Sequence, residues 1–212
     1  MRAGRRIWDI SQPLRSETPV WPGDTAFSAE RTWALDADCP VNVSRISLST
    51  HTGAHADAPF HYDPAGRTAE ELDLDRYLGP CRLIDVTGVT GLVTVEAVVG
   101  HLDDCPPRVL LRTFAKSDLA AWPANFTTLG ADLIELLADS GVVLIGVDAP
   151  SIDPETSKDL PAHNAVRRHD MAILEGLVLD DVPVGDYELI ALPLPLVGLD
   201  ASPVRAVLRS LT

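Results

Sequence analysis

Residues 141–148 read GVVLIGVD, and the reading of that run decides the fold. From 142 to 147 it is nearly all apolar, with a glycine ahead of it and the turn-rich DAPSIDP of 148–154 behind. A strand with one wet face alternates apolar and polar side chains; an unbroken apolar run is the pattern of a strand covered on both faces. Just upstream, LGADLIELLADSG places Leu129, Leu133, Leu136 and Leu137 at i, i+4, i+7 and i+8 and stops at Ser140-Gly141, as an amphipathic helix does. A helix feeding a doubly covered strand predicts an α/β fold.

Outward from there, RRIWDIS (5–11), VNVSRISLST (41–50), CRLIDVT (81–87), RVLLRT (108–113) and YELIALPL (187–194) read as further strands. Residues 94–102 and 203–211 read as helices, and AVRRHDMAILEG (165–176) as a source of a short one. Seventeen prolines and fourteen glycines mark many turns, among them WPGD at 21–24 and LPLPLVG at 192–198. With 212 residues, 46% of them hydrophobic, the chain suits one substantial core. The expectation is a single α/β domain over 1–212, with a largely β core and flanking helices.

The formal charge is -14, with 31 acidic against 17 basic side chains, and such a surface repels a phosphate backbone; nucleic acid is not the expected partner. No run of about 18 uncharged apolar residues occurs, so no membrane partner is expected. The basic start MRAGRR is not followed by an apolar stretch of signal-peptide length, and a cytoplasmic protein is expected. Three cysteines, Cys39, Cys81 and Cys105, include no C-x-x-C pair and read as reduced and structural.

Half of the six histidines lie in HTGAHADAPFHY, residues 51–62: His51, His55 and His61, with Asp57 among them. Gly53 and Pro59 oppose a helix there. In an extended chain His51, Gly53, His55, Asp57 and His61 share odd parity and aim to one side. Four residues of straight strand span about 13 Å, whereas a zinc–nitrogen bond is about 2.0–2.1 Å long, so the chain must bend. Gly53 permits the bend, and Ala54, Ala56 and Ala58 leave room around it. One ion could then be held by His51, His55 and Asp57 with a position left for water, as a catalytic zinc site requires. A lone histidine in such a run is ordinarily a satisfied or solvated side chain; three set about an aspartate form a metal-ligand pattern. Imidazole and carboxylate without thiolate suit zinc, manganese or iron.

HTGAHADAPFH resembles the H-x-G-x-H-x-D-A-P-x-H signature of the cyclase-like metal-dependent hydrolases. WDISQPL (8–14), VWPGD (20–24), IGVDAPSIDP (145–154), LPAHNAV (160–166), ILEGLVLDDV (173–182) and LPLPLVGLDASPVRAVLR (192–209) are similar to the kynurenine formamidase branch of that family. The resemblance implies a swivelling β/β/α-like fold and hydrolysis of N-formyl-L-kynurenine to L-kynurenine and formate in tryptophan degradation. It also implies a homodimer and two divalent ions per subunit, zinc first, with manganese or another divalent ion as the alternative. By the same resemblance His51, His55 and Asp57 hold one ion and His163 and Glu175 the second, with Asp57, and Glu175 as well, touching both.

His61 corresponds to the family's proton-transfer histidine, a role an imidazole near pKa 6.5 suits. Trp21 corresponds to its substrate-contacting aromatic residue. Without the family, His163 is a loop histidine and Glu175 a lone acid ending an apolar run. His169, beside Arg167, Arg168 and Asp170, belongs at the surface. No Gly-x-Ser-x-Gly elbow suggests serine chemistry. The metal motif leaves open a cyclic amide or another aryl amide as substrate, and a metal-binding protein without catalysis. It also leaves open which group reads a substrate carboxylate, for which arginine or backbone N–H groups are suited.

Overall fold

The computed structural model describes residues 5–211; Met1–Gly4 of the basic start and Thr212 lie outside the described residues. In chain order the elements are β1 (Ile7–Asp9), β2 (Ser28–Trp33), β3 (Val43–Ser47), β4 (His55–Asp57), β5 (Leu78–Asp85), β6 (Leu92–Val93), α1 (Val95–Val98), β7 (Arg108–Arg112), β8 (Thr128–Leu129), α2 (Ala131–Asp139), β9 (Leu144–Val147), α3 (Pro161–Arg168), β10 (Ala172–Glu175), β11 (Gly185–Ile190), β12 (Ala201–Pro203) and β13 (Val207–Ser210). Nine strands form one mixed sheet in the order β1-β13-β11-β5-β7-β9-β10-β4-β12. Its centre, β5-β7-β9-β10, is parallel, and the flanking pairs are antiparallel.

Side-chain alternation divides the central strands between two buried clusters. Ile84, Val109, Leu111, Ile145, Val147 and Ile173 pack with Leu133, Ile134 and Leu137 of α2 and Ala162, Ala165 and Val166 of α3. Leu83, Leu110, Leu144 and Leu174 point into the other cluster, with Ile10, Tyr77, Leu179, Val204 and Leu208. The 142–147 run is apolar throughout because both faces are covered, as its sequence predicts. The fold is α/β with a largely β core. Among the described residues no helix is long and apolar enough to cross a membrane.

Two expected helices are corrected. Residues 203–211 carry apolar side chains at helical spacing, but Val204, Ala206 and Leu208 are buried while Arg205 is exposed, which is the period of a strand. This segment supplies β13, pairing with β1 and β11. In 165–176, α3 begins earlier, at Pro161, and ends at Arg168; Asp170 then takes a left-handed turn (φ 50). The apolar Ala172–Glu175 run becomes β10 between β9 and β4, since a run that short fits either period and the vacant sheet position decides.

Candidate metal centre

The histidine motif bends where its glycine allows. Gly53 has φ +68, and the chain turns over 50–54 before entering β4 at His55. A Cβ on Gly176 (φ +64) would lie 2.4 Å from the carbonyl oxygen of Gly53, so the two glycines meet backbone to backbone. Antiparallel register sets Glu175 opposite His55, with Asp57 opposite Ile173, two positions away. Directly opposed residues share a face, so His55, Asp57 and Glu175 project together toward the side covered by α3. From α3 comes His163. All four are 2–3% exposed.

Asp57 lies at the centre. Its Oδ1 is 3.1 Å from His51 Nδ1 and 3.4 Å from His55 Nε2, and its Oδ2 is 3.4 Å from His163 Nε2. Glu175 repeats the division, with Oε2 3.5 Å from His55 Nε2 and Oε1 3.7 Å from His163 Nε2. Each carboxylate thus turns one oxygen toward the histidines of the first motif and the other toward His163. Potential ligand atoms of His55, Asp57 and Glu175 lie within 4.8 Å of one another, as do those of His51, Asp57 and His61. His61 reaches this second group because the chain leaves β4 into a 3-10 turn, Pro59–His61, rather than by strand alternation.

The donor set fits a divalent cation. His55 Nε2, both Asp57 oxygens and His163 Nε2 are buried without a hydrogen-bond partner among the described residues, a condition that buried polar atoms rarely sustain. Burial alone would lower the His55 and His163 imidazoles. The surrounding carboxylates, Asp57 and Glu175 beside the first and Asp153 and Asp57 beside the second, push both up to about 10. Asp57 is held well below the usual carboxylate range by His163, His51 and His55, although burial works the other way. Positive charge is therefore demanded where these atoms converge, and a metal ion satisfies that demand by displacing the ligand protons.

The remaining nitrogens are oriented from behind. His55 Nδ1 is 2.8 Å from the Gly53 carbonyl, which fixes Nδ1 as the donor and leaves Nε2 to face Asp57. His163 Nδ1 is 2.7 Å from Asp153 Oδ2, and Asp153 also accepts the backbone N–H groups of Ala162 (3.1 Å) and His163 (3.0 Å). Asp153 thus caps α3, whose N-cap residue Leu160 has no capping side chain, and orients the histidine in one arrangement. Glu175 Oε1 accepts the Ile152 N–H at 2.8 Å. Asp153→Asn is expected to weaken metal binding about 10–100-fold, the usual effect of removing such a partner, read by competition with a chromogenic chelator. Unchanged affinity would show that His163 is oriented by something else.

Asp200 is the second acid that the sequence reading misses. Its Oδ2 lies 3.0 Å from His51 Nε2 and 3.6 Å from His61 Nδ1, and Oδ1 accepts the Thr50 hydroxyl at 3.0 Å. The His51 and His61 rings are 4.3 Å apart, so this carboxylate spans a candidate ligand and the proton-transfer candidate. Both acids sit in proline-containing loops; Asp153 lies ten residues before the histidine it serves, and Asp200 lies 149 residues after His51.

The centre opens into a cavity of about 710 Å³ at the carboxyl ends of the parallel strands, where α/β sheets ordinarily bind ligands. Trp21, in its WPGD turn, lines it and packs edge-on against Trp122 (5.5 Å) and Phe126 (6.4 Å). Trp122 and Phe114 extend the aromatic wall. His51, His55, His61, His163 and Glu175 all reach this cavity; Asp57 lies beneath it. His169 is not among the lining residues and pairs with Glu135 of α2.

Fold and site together define a metal-dependent hydrolase. The Cyclase family model matches residues 8–154, and the chain belongs to that family of cyclase-like hydrolases. A potential metal-dependent hydrolase with cyclase activity is 31% identical over 98% of this chain and 99% of its own, with TM-score 0.84. A predicted metal-dependent hydrolase from Bacillus stearothermophilus is also 31% identical over 98% of this chain and 99% of its own, with TM-score 0.83. Isatin hydrolase A from Labrenzia aggregata, bound to benzyl benzoate, shares 24% identity over 98% of this chain and 94% of its own; its TM-score of 0.84 is a likeness of fold.

Proposed function

We propose that this chain hydrolyses N-formyl-L-kynurenine to L-kynurenine and formate at a site holding two divalent ions, zinc in the first instance. The observation that carries the hydrolase reading is the convergence of orphaned buried imidazole and carboxylate atoms at the floor of an aromatic-walled cavity. His51, His55 and Asp57 would hold one ion, and Asp57, His163 and Glu175 the other. When bound, such ions polarise a carbonyl and lower the pKa of water toward about 7. Trp21 and Trp122 supply flat apolar faces for an arylamine ring.

The net reaction adds water across the formyl C–N bond, oxygen to carbon and proton to nitrogen. His61 gives that proton to the departing arylamine nitrogen, with Asp200 Oδ2 3.6 Å from its Nδ1. A panel of N-formyl-L-kynurenine, formanilide and the cyclic amide isatin tests the substrate. N-formyl-L-kynurenine is expected to have the highest kcat/KM; a preference for isatin would move the chain to ring-opening chemistry.

The functional unit is a homodimer. In β2 and β3 every residue is exposed, including Trp33 at 57% and Ile46 at 59%, and the two strands form a sheet of their own. An isolated two-stranded ribbon is marginal in water, and a second copy covering it accounts for its apolar side chains. Light scattering should give twice the chain mass for the wild type and the monomer mass for a Trp33→Asp, Ile46→Asp double variant. A monomeric wild type would remove the dimer.

A further inference from the structure

The cavity that holds the metal ligands also has a charge pattern. Among the described residues its lining includes Asp24, Asp118, Asp148, Glu155, Glu175 and Asp200, but no arginine and one lysine, Lys116, one of only two lysines in the chain. The arginines nearest in sequence are occupied elsewhere. Arg108 donates to the carbonyls of Asp75 and Arg76, and Arg112 to those of Leu179 and Val182 and to Asp85. Lys116 is exposed and has no ion pair or hydrogen bond among the described residues.

The backbone that presents Lys116 is pinned on both sides. Asp148 accepts the N–H groups of Thr113 (2.8 Å) and Phe114 (3.0 Å), and Asp180 accepts the N–H of Ser117 at 2.9 Å and its hydroxyl at 2.7 Å. This segment follows β7 directly, so an unpartnered ammonium is carried on anchored chain at the wall of an otherwise acidic cavity. Phe114 and Trp122, aromatic residues of the same lining, lie on either side of Lys116 in sequence.

We propose that Lys116 is a specificity-determining residue that binds a carboxylate on the substrate's side arm, making aryl amides that bear an anionic group the preferred substrates. This rests on the aryl-amide hydrolase reading above and names the one lysine or arginine side chain among the described residues of the cavity lining. An exposed ion pair is worth a factor of up to about five, so the effect is on recognition rather than on chemistry. It is also weakened by salt.

The test compares wild type, Lys116→Gln and Lys116→Arg in two measurements. In kinetics, Lys116→Gln should raise KM for N-formyl-L-kynurenine about fivefold, leave kcat and the constants for uncharged formanilide unchanged, and abolish the rise of KM with ionic strength; Lys116→Arg should restore all three. In calorimetry, Lys116→Gln should weaken binding of L-kynurenine by the same factor and leave kynurenamine, which lacks the carboxylate, unaffected. Equal effects on charged and uncharged compounds, or none on either, would overturn the assignment of Lys116. A wild type inactive on both formyl amides would overturn the function instead, and the calorimetric comparison would still decide the role of Lys116.

Discussion

His61→Asn is expected to lower kcat for N-formyl-L-kynurenine by about 10²–10⁴-fold, the range ascribed to a positioned proton donor, while bound metal stays at the wild-type level. The expectation follows from where His61 sits. It ends a short 3-10 turn at the cavity wall, its side chain is 35% exposed, and Asp200 Oδ2 is 3.6 Å from Nδ1. The buried donors on and opposite β4 and on α3 do not depend on it for their positions. Asparagine is smaller and polar, and at a partly exposed site it leaves the fold intact. The check is kcat beside metal content by plasma mass spectrometry. Metal lost together with activity would make His61 a ligand, a role its place within 4.8 Å of the donor atoms of His51 and Asp57 also permits.

Asp57→Asn is expected to have the larger effect, because this carboxylate faces both halves of the centre at 3.1–3.4 Å, closer than Glu175 at 3.5–3.7 Å. Each oxygen is directed at a different group of imidazoles, so the substitution would remove an anionic candidate ligand from both. Metal affinity should fall by more than about 100-fold, beyond the effect of an outer-sphere substitution, and turnover with it. Zinc at 100 times its Kd should stabilise the wild type by about 2.7 kcal/mol, seen as a rise in Tm, and the variant hardly at all. An Asp57→Asn protein that retained two ions per chain would contradict the bridging role.

How much of this was legible depended on whether the cause was local. The runs 109–111 and 142–147 are readable as strands because burial on both faces makes them apolar. Residues 203–211 misled because Val204, Val207, Leu208 and Leu211 also satisfy helical spacing, and only the gap between β1 and β11 selects the strand. In the site, His51, His55 and Asp57 are crowded into one bent segment and announce themselves. His163 and Glu175 enter through the packing of α3 and the register of β10 on β4, tertiary facts that a single sequence leaves to family resemblance. Asp153 and Asp200 lie within the family-like segments 145–154 and 192–209, but nothing in those segments alone ties them to His163 and His51. For a substrate carboxylate the sequence leaves open an arginine or backbone N–H groups, and the structure turns Arg108 and Arg112 toward carbonyls.

The most direct test is release of L-kynurenine from N-formyl-L-kynurenine by purified protein, before chelation, after it, and after zinc is restored. The account predicts turnover that vanishes with the metal and returns with zinc, together with two ions bound per chain. Undiminished turnover by protein shown to be metal-free would contradict it.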